Sequence, residues 1–446
     1  MSLCLSHLRP FARICGLLIF ASICGIAAAE NWPGWRGPRG DGTSEETSIP
    51  TEWSGEAGQE KNLLWKVAIP GKGHASPIVW EDRIFVVTCD EERHERLLLC
   101  IDRDTGKKLW QKLVLRSPLE KKHTLNSFAS STPATDGRRV YVTFLKTSEF
   151  AAAAEGRVSA GVMVVAAYDL AGNEVWRVEP GEFSSMHGYC SSPVLFEDKL
   201  IVNGDHDGNG YLVALDRATG ETRWKIDRPN NTRSYCTPII REIDGRTQMV
   251  LSGSECVTSY DPHDGSMHWI LDGPTEQFVA SLVYNGRLLF LTAGFPEFHL
   301  LAIDPRGNGD VTKSHIRWRT REGASYVPSP IAAGPYFLVT SDNGIASCFA
   351  AESGKRLWKV RLGNHYSGSP VLINGLVYFT ADDGVTKIVR PGPKFDLLAE
   401  NRLGEECYAS PAVSGGQIYF RADKHLYCVG NDEGRNPNDE RSPNDK

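Results

Sequence analysis

Residues 192–224 read SPVLFEDKLIVNGDHDGNGYLVALDRATGETRW, and this stretch decides the fold. It opens on Ser192-Pro193 and an apolar run, and two further apolar runs follow, each after turn residues. An Asp-x-x-Thr-Gly sequence then leads into a last run that carries Trp224. Four short runs separated by turns are typical of a four-stranded antiparallel sheet. Gly220 supplies the positive φ that the final hairpin turn needs.

The opening of this unit recurs along the chain every 40 to 60 residues or so, a period that is typical of propeller blades. The proline is replaced by leucine in one unit and present in the others. The eight openings are Ser76-Pro77, Thr132-Pro133, Ser192-Pro193, Thr237-Pro238, Ser281-Leu282, Ser329-Pro330, Ser369-Pro370 and Ser410-Pro411. The sequence therefore predicts an all-β, eight-bladed β-propeller whose blades are four-stranded antiparallel sheets.

The proline and the tryptophan of each unit fit opposite margins of a blade. Proline cannot donate to a strand ladder, so it suits the start of the innermost strand, which has a partner on one side only. A tryptophan on the fourth strand is large enough to fill the wedge between neighbouring blades. The fourth strands carry Trp65, Trp110, Trp176, Trp224, Trp269, Trp318 and Trp358, and the eighth unit is degenerate, with Leu398 in that place.

The register of the repeat predicts how the ring closes. Trp65 lies in a fourth-strand sequence, NLLWKVAIPG, that precedes the first Ser-Pro strand. The last unit, from Ser410 to the HLYCVG run, has three strands and no tryptophan strand. The N-terminal strand should therefore complete the last blade, which protects sheet edges that would otherwise pair with other chains. The propeller is expected to span residues 62–430.

The segments outside the ring have their own signatures. Arg9 and Arg13, an apolar run over residues 14–26 and the alanines at 27–29 predict a secretory signal peptide, cleaved near Ala29. The product is then periplasmic or extracellular. A lipoprotein would need Cys24 as its modified residue, and Ile23 before it fits that poorly.

Two further segments flank the ring. Residues 30–61 read as an extended Gly/Pro/Trp arm that packs Trp32 and Trp35 on the propeller. Residues 431–446 are polar and are expected to be disordered. No second apolar stretch approaches the roughly 18 residues of a membrane span, so the mature chain is expected to be soluble.

Charge and cysteine content restrict the function. The net charge is −6, and it becomes more negative when Arg9 and Arg13 leave with the signal peptide. Phosphate binding needs a basic surface, so nucleic acid is excluded as a partner. The cysteines of the mature chain show neither a CxxC pair nor zinc spacing, and they read as small buried strand residues.

The Ser-Pro strand, the "ALD" or "AID" strand, the Asp-x-x-Thr-Gly turn and the Trp strand together resemble the repeats of pyrroloquinoline-quinone-like (PQQ-like) propellers. The resemblance covers residues 62 to about 430. That family contains quinoprotein alcohol dehydrogenases and also non-enzymatic members, such as the propeller lipoprotein of the outer-membrane barrel assembly machinery. The resemblance implies the fold, and the repeat says little about activity.

For the dehydrogenases, the resemblance implies a calcium-bound quinone at the ring centre, a catalytic aspartate beside it, and in many members a disulfide between adjacent cysteines. No Cys-Cys dipeptide occurs here. Most blades are close to minimal length, and the largest insertion, residues 146–161, is rich in alanine and offers no acid–base set. We therefore expect neither catalytic residues nor a quinone and calcium cofactor.

An acidic loop in the third unit admits two interpretations. Asp205, Asp207 and Asn209, followed by Gly210, stand at the alternate positions of a calcium-binding loop. The simpler interpretation is a polar hairpin. Asp216 stands at the last ligand position of such a loop, but it has equivalents in the turns of other units, so the repeat already explains it. His187 and His206 lie in different loops without ligand spacing, which argues against a transition-metal site.

Aromatic or histidine residues precede every Ser-Pro strand, on loops that converge at one mouth of the central channel. They predict a ring of aromatics with interspersed polar groups that binds a small ligand or a peptide. The alternative is that these rings only plug the channel. The predicted binding residues are His74, Phe128, His187, Tyr189, Arg233, Tyr235, Phe278, Tyr326, His365, Tyr366 and Tyr408.

Three functions follow from these observations. We expect an exported, monomeric binding or scaffold module that takes a protein or a small ligand at the channel mouth. The first alternative is a PQQ-dependent dehydrogenase. The second is an outer-membrane protein assembly factor with a peripheral association with the envelope, although the poor lipobox and the N-terminal arm argue against direct equivalence.

Overall fold

The computed structural model describes residues 30–148 and 159–431, and these residues form strands and loops without a helix. Eight sheets stand around a central axis, each with a core of four antiparallel strands. The hydrophobic core lies between successive blades, where apolar faces of neighbouring sheets pack together. The predicted eight-bladed propeller is confirmed. The predicted signal peptide, most of the insertion at 146–161 and nearly all of the predicted tail lie outside the described residues.

The first half of the chain contains the arm and four blades, in which the strands run from the axis outward. The arm carries β1 (Thr43–Ser44), and β2 (Leu63–Ala68) follows it as the first strand of the propeller. Blade 1 consists of β3 (Ile78–Trp80), β4 (Arg83–Asp90), β5 (Glu95–Asp102) and β6 (Lys108–Arg116). Blade 2 consists of β7 (Ala134–Thr135), β8 (Arg139–Thr147), β9 (Ser159–Asp169) and β10 (Glu174–Val178), with β11 (Glu182–Ser185) also paired to β9. Blade 3 consists of β12 (Val194–Phe196), β13 (Lys199–Gly204), β14 (Tyr211–Asp216) and β15 (Thr222–Asp227). Blade 4 consists of β16 (Ile239–Ile243), β17 (Arg246–Gly253), β18 (Cys256–Tyr260) and β19 (Met267–Asp272).

The second half repeats this arrangement. Blade 5 consists of β20 (Val283–Tyr284), β21 (Leu289–Ala293), β22 (His299–Ile303) and β24 (Ile316–Thr320). The short β23 (Gly309–Asp310), between β22 and β24 in the chain, joins the sheet of blade 4 by pairing in parallel with β19. Blade 6 consists of β25 (Ile331–Ala333), β26 (Tyr336–Thr340), β27 (Ile345–Ala350) and β28 (Arg356–Arg361). Blade 7 consists of β29 (Val371–Ile373), β30 (Leu376–Thr380), β31 (Val385–Val389) and β32 (Leu397–Arg402). Blade 8 consists of β33 (Ala412–Ser414), β34 (Gln417–Arg421) and β35 (His425–Gly430).

The ring closes through β2, as the register predicted. This strand pairs antiparallel with β35, with Trp65 opposite Cys428 and Lys66 opposite Tyr427. The first propeller strand of the chain is thereby the outermost strand of the last blade. Both ends of the propeller are held in one sheet, so opening the ring requires this sheet to break.

The tryptophans on the outer strands have a polar function that the repeat did not reveal. Each indole Nε1–H donates to a main-chain carbonyl in the turn between the third and fourth strands of the next blade. The acceptors are Arg103 for Trp65, Leu170 for Trp110, Arg217 for Trp176, Pro262 for Trp224, Pro305 for Trp269, Ala351 for Trp318 and Gly392 for Trp358, at 2.8–3.1 Å. Gly106 shows why these turns need glycine, since a Cβ there would lie 2.9 Å from the indole of Trp65.

The missing eighth tryptophan has a topological cause. In blade 8 the third and fourth strands, β35 and β2, come from opposite ends of the propeller, so no turn connects them to receive an indole from blade 7. Leu398 therefore replaces tryptophan on β32 and is 40% exposed. Trp53 of the arm fills the space between these two blades, stacked on Tyr378 at 6.2 Å and packed against Phe420 at 5.7 Å.

The Ser or Thr before each inner strand links neighbouring blades around the axis. Its hydroxyl oxygen accepts a hydrogen bond from the main-chain N–H of the equivalent residue in the preceding blade. Seven such bonds of 2.8–3.1 Å run in sequence through Ser76, Thr132, Ser192, Thr237, Ser281, Ser329, Ser369 and Ser410. We call these eight residues the hydroxyl belt. In the described part of the chain, Ser76 Oγ has no hydrogen-bond partner, so the belt is interrupted where the ring closes.

The arm crosses the axis on the face opposite the loops that lead into the inner strands. Trp32 exchanges two hydrogen bonds of 2.9 Å with Val79 of blade 1, and β1 pairs in parallel with β29 of blade 7. Asp41 accepts from Arg241 of blade 4 at 2.9 Å, and Glu46 accepts from the blade 8 hairpin. These contacts place the arm under the inner strands of several blades, where it closes that end of the channel.

Candidate functional site

A blind cavity of about 1030 Å³ occupies the channel. It opens at the loops that lead into the inner strands and extends inward to the hydroxyl belt. Trp35 of the arm also lines it, so the arm forms the floor. We call this cavity the funnel. Its volume lies at the upper limit of the range for ligand sites, about 300–1,000 Å³.

Seven of the eleven predicted binding residues line the funnel. All of them lie on loops that precede inner strands, as the repeat indicated. They are His74, His187, Arg233, Tyr235, Tyr326, His365 and Tyr408.

The other four predicted residues turn away from the funnel and pack between blades. Tyr189, Phe278 and Tyr366 are 6%, 0% and 1% exposed within the core. Phe128 packs against the blade 1 and blade 2 core, with the guanidinium of Arg96 5.7 Å from its ring centroid. Spacing before the Ser-Pro strand did not distinguish these residues, because Tyr326 and Tyr366 both stand three residues before the serine, yet only Tyr326 lines the funnel. We leave the four out of the binding surface.

The wall of the funnel is built from stacked rings. His74 lies over Tyr408, with ring centroids 4.7 Å apart, and its Nδ1 lies 3.1 Å from the Leu125 carbonyl oxygen. Desolvation lowers the pKa of His74 to about 4, so this imidazole is neutral at physiological pH. The pair offers an uncharged aromatic surface to a ligand.

Polar groups hold the other aromatics in fixed orientations. The Tyr326 hydroxyl donates to Gln277 at 3.0 Å, and the Tyr235 hydroxyl lies 3.1 Å from Ser185 Oγ. Arg233 forms an ion pair with Asp207. Such contacts pre-organise the wall, which lowers the ordering cost of binding.

Exposed apolar side chains at the rim are the main feature that the sequence analysis missed. Leu125 and Met186 lie on loops before inner strands and are 41% and 37% exposed. Phe295 and Phe298, in the hairpin between β21 and β22, are 47% and 50% exposed. The second-to-third connection of an antiparallel blade returns to the same face as the fourth-to-first connection. That geometry was the available signal, and it points to these hairpin tips.

The acidic loop in blade 3 is a polar hairpin with two separate ion pairs. Asp205 is fully buried against Arg228, with Oδ1 2.8 Å from Nε, while Asp207 pairs with Arg233. Arg228 also donates to Thr258 and Tyr260, at 2.7 Å each. Asn209 is exposed. The described residues contain no group of three His, Cys, Asp or Glu side chains placed to hold a metal ion.

The carboxylates near the funnel mouth would have to hold the calcium and quinone that the resemblance implies. Asp342 accepts from the main-chain N–H groups of Tyr326 and Val327, both at 2.9 Å. Asp382 accepts from Ser367 and lies 2.6 Å from His365 Nδ1. Among the described residues Asp342 is the one carboxylate that lines the funnel, and protein donors bind both its oxygens, so the donor set does not fit a calcium-held quinone.

His187 and His206 lie in different environments. His187 faces His123 at a centroid distance of 5.8 Å on the funnel wall, and desolvation lowers its pKa. His206 is buried against Phe183 and Tyr211. Among residues 30–431 the eight cysteines form no disulfide, and Cys190 is the one that is partly exposed.

Comparison with known families gives one match of high coverage. A sequence model of the family described as "Outer membrane protein assembly factor BamB" matches residues 54–160 and 161–384. No curated protein matches the chain.

Solved structures share the architecture at low identity. BamB from Moraxella catarrhalis is 14% identical, with a TM-score of 0.55 over 84% of this chain and 98% of that one. Quinohemoprotein alcohol dehydrogenase from Comamonas testosteroni is 12% identical, with a TM-score of 0.62 over 90% and 81%. A europium-containing methanol dehydrogenase is also 12% identical, with a TM-score of 0.51 over 89% and 90%. At these identities the likeness concerns the fold. Within the described residues, no helix is long and apolar enough to span a bilayer.

Proposed function

The chain belongs to the family of the outer membrane protein assembly factor BamB, and from that premise we propose that it is an exported, non-catalytic binding module. Its funnel takes part of a partner polypeptide or a small ligand. The observation that carries the proposal is the blind cavity of about 1030 Å³ with an exposed apolar rim. Contiguous apolar patches on a protein surface mark interaction sites.

The wall supports binding rather than chemistry. The pKa of His74 is lowered to about 4, so its neutral imidazole is poorly suited to hold a proton near neutral pH. Asp342 and Asp382 are engaged by protein donors. Fixed aromatic faces with a few oriented polar groups suit recognition.

The proposed location is the periplasm or the outside of the cell, and the predicted signal peptide supports it. The family description names an assembly factor of the outer membrane, so the envelope is the proposed site of action. The chain is proposed to act as a monomer that associates with the envelope through its partner.

A capture experiment with two double variants tests the proposal. The first, Phe295→Ser with Phe298→Ser, removes apolar rim surface. The control, Leu109→Ser with Leu113→Ser, removes two leucines, each 48% exposed, from the outer strand of blade 1. We expect the rim variant to recover at least tenfold less partner from the exported fraction, and the control to match the wild type. Equal recovery by the rim variant would contradict the proposal.

The dehydrogenase alternative has a separate test. Purified protein is mixed with pyrroloquinoline quinone and calcium, and reduction of an electron-accepting dye by alcohols or sugars is followed. The non-catalytic proposal predicts no rate above that of the free cofactor. A saturable rate of dye reduction that requires the protein would contradict the non-catalytic proposal and support the dehydrogenase alternative.

A further inference from the structure

The charge at the funnel is balanced once the ion-pair partners of its lining residues are counted, whereas the whole chain is acidic. The chain has a net charge of −6. The funnel is lined by three cationic side chains, Arg233, Arg321 and Lys359, and by one carboxylate, Asp342. Arg233 and Arg321 form ion pairs with Asp207 and Glu297, which lie just outside the lining. Lys359 offsets Asp342, whose two oxygens accept from main-chain N–H groups. The funnel therefore lacks the excess of negative charge of the whole chain, and an anion is repelled less there.

The base of the funnel is rich in hydrogen-bond donors. A hydroxyl has one proton to donate and two lone pairs. In the hydroxyl belt one lone pair is used by the preceding blade, and within the described residues none of these hydroxyls donates to a protein acceptor. The belt residues that line the funnel are Ser192, Thr237, Ser281, Ser329, Ser369 and Ser410. Their protons are free to point at an acceptor in the funnel.

A buried cation of the arm lies behind this base, next to an inner strand but outside the residues that line the funnel. Arg36 follows Trp35 of the floor and is 2% exposed. Its Nη2 lies 3.4 Å from the carbonyl oxygen of Pro370, the neighbour of Ser369, while Nε and Nη1 have no partner among the described residues. Burial lowers the pKa of Arg36 to about 10, with Asp41 opposing the shift. A buried charge without a close counter-ion is costly, and an anion nearby offsets that cost.

The closed floor limits how a polypeptide enters. Because the arm blocks the far end, a chain cannot thread the ring and must insert an end or a loop. The rim residues Leu125, Met186, Phe295 and Phe298 extend apolar surface outward from the funnel, which suits a ligand that continues beyond it. Apolar surface at the rim and hydroxyl donors at the base, with the buried Arg36 behind them, fit an apolar chain segment that ends in a carboxylate.

We propose that the funnel binds the carboxyl-terminal end of a partner polypeptide whose last residues are apolar, with the terminal carboxylate at the hydroxyl belt beside Arg36. This assignment rests on the proposed binding function and names the chemistry of its ligand. The aromatic wall holds the terminal side chain, and the rim holds the residues before it.

Matched peptides test the assignment on the full-length exported protein. Fluorescein-Gly-Gly-Leu-Leu-Phe is prepared as the free acid and as the terminal amide, and fluorescence anisotropy gives both dissociation constants. We expect the acid to bind at least tenfold more tightly than the amide, because the amide lacks the charge. Equal affinities, or no binding by either peptide, would overturn the assignment. The capture experiment with the rim variant tests the proposed binding function separately and could still give its expected result.

Variants locate the carboxylate. Arg36→Met should reduce the acid-to-amide preference to less than threefold, and Arg36→Lys should retain most of it. If Arg36→Met does not fold, Ser329→Ala supplies the test, because it removes one donor and should lower affinity for the acid more than for the amide. An unchanged preference in the folded variants would place the carboxylate elsewhere and overturn the proposal.

A small anion distinguishes the source of the carboxylate. 3-Phenylpropionate carries the same terminal chemistry without a peptide chain. We expect it to compete with the peptide acid only at concentrations at least a hundredfold higher, because it makes no rim contacts. Competition at equal concentration would show that the funnel binds small organic acids. It would overturn the proposal that the ligand is the carboxyl-terminal end of a polypeptide.

Discussion

At the residue scale, burial decides what the charged and aromatic side chains do. Asp205 and Arg228 are both 0% exposed and pair with each other, so a sequence that resembles a calcium loop is a structural hairpin. Removing one member of such a pair leaves an uncompensated buried charge, which costs about 3–5 kcal/mol. The acidic pattern alone could not show this, because its arginine partner lies just after β15, two strands further along the same blade.

His74 gives a pH-dependent prediction at this scale. Its folded pKa is lowered to about 4 by desolvation, against about 6.5 for an unfolded chain. The unfolded state therefore takes up the proton first, so this contribution to stability is complete above about pH 6.5 and is lost as the pH falls toward 4. Because the ring is partly exposed, the loss should be no more than about 2 kcal/mol.

The variant His74→Gln keeps an amide that can donate to the Leu125 carbonyl and does not titrate. Urea unfolding at pH 7.5 and pH 4.5 should show a smaller loss of stability for the variant than for the wild type. The other histidines titrate in both proteins and cancel in the comparison. Parallel losses in the two proteins would show that His74 is not held neutral by the fold.

At the element scale, each blade is joined to the next by two polar links. The outer link is the indole N–H that donates to a turn carbonyl, and the inner link is the hydroxyl belt. Both use residues that the repeat made visible. The sequence predicted where the Ser or Thr and the Trp stand, but the hydrogen bonds join different blades, so their partners appear only when the ring is closed.

The belt supplies a matched pair of variants. Ser281→Ala removes the acceptor of the Thr237 N–H, a bond of 3.0 Å between blades 4 and 5. A buried donor left without a partner costs about 1–3 kcal/mol. Ser76→Ala changes the same kind of residue at the closure, where Ser76 Oγ has no partner among the described residues, and should cost less than about 0.5 kcal/mol.

Urea unfolding at neutral pH measures both variants against the wild type. The belt makes this contribution if Ser281→Ala lowers the free energy of unfolding and Ser76→Ala does not. Similar losses from both substitutions would mean that the hydroxyls act by filling space rather than by accepting hydrogen bonds.

At the scale of the whole molecule, the blade count and the closure by β2 followed from the repeat, because a local motif sets both. The funnel followed only in part. Seven of its lining residues were predicted, whereas the rim hairpin with Phe295 and Phe298 and the floor residue Trp35 were not. The rim depends on which strand connections share a face of the propeller, and the floor depends on where the arm crosses the axis. The period of the repeat determines neither feature.

The central claim is that the partner binds at the funnel and not at the outer edges of the blades. Two methionines test it directly, because Met186 at the rim is 37% exposed and Met267 on the outer strand of blade 4 is 46% exposed. Each is replaced in turn by p-benzoyl-phenylalanine, and the exported protein is irradiated in its native compartment. We predict cross-linked partner from position 186 and none from position 267. Cross-links from position 267 alone would contradict the account.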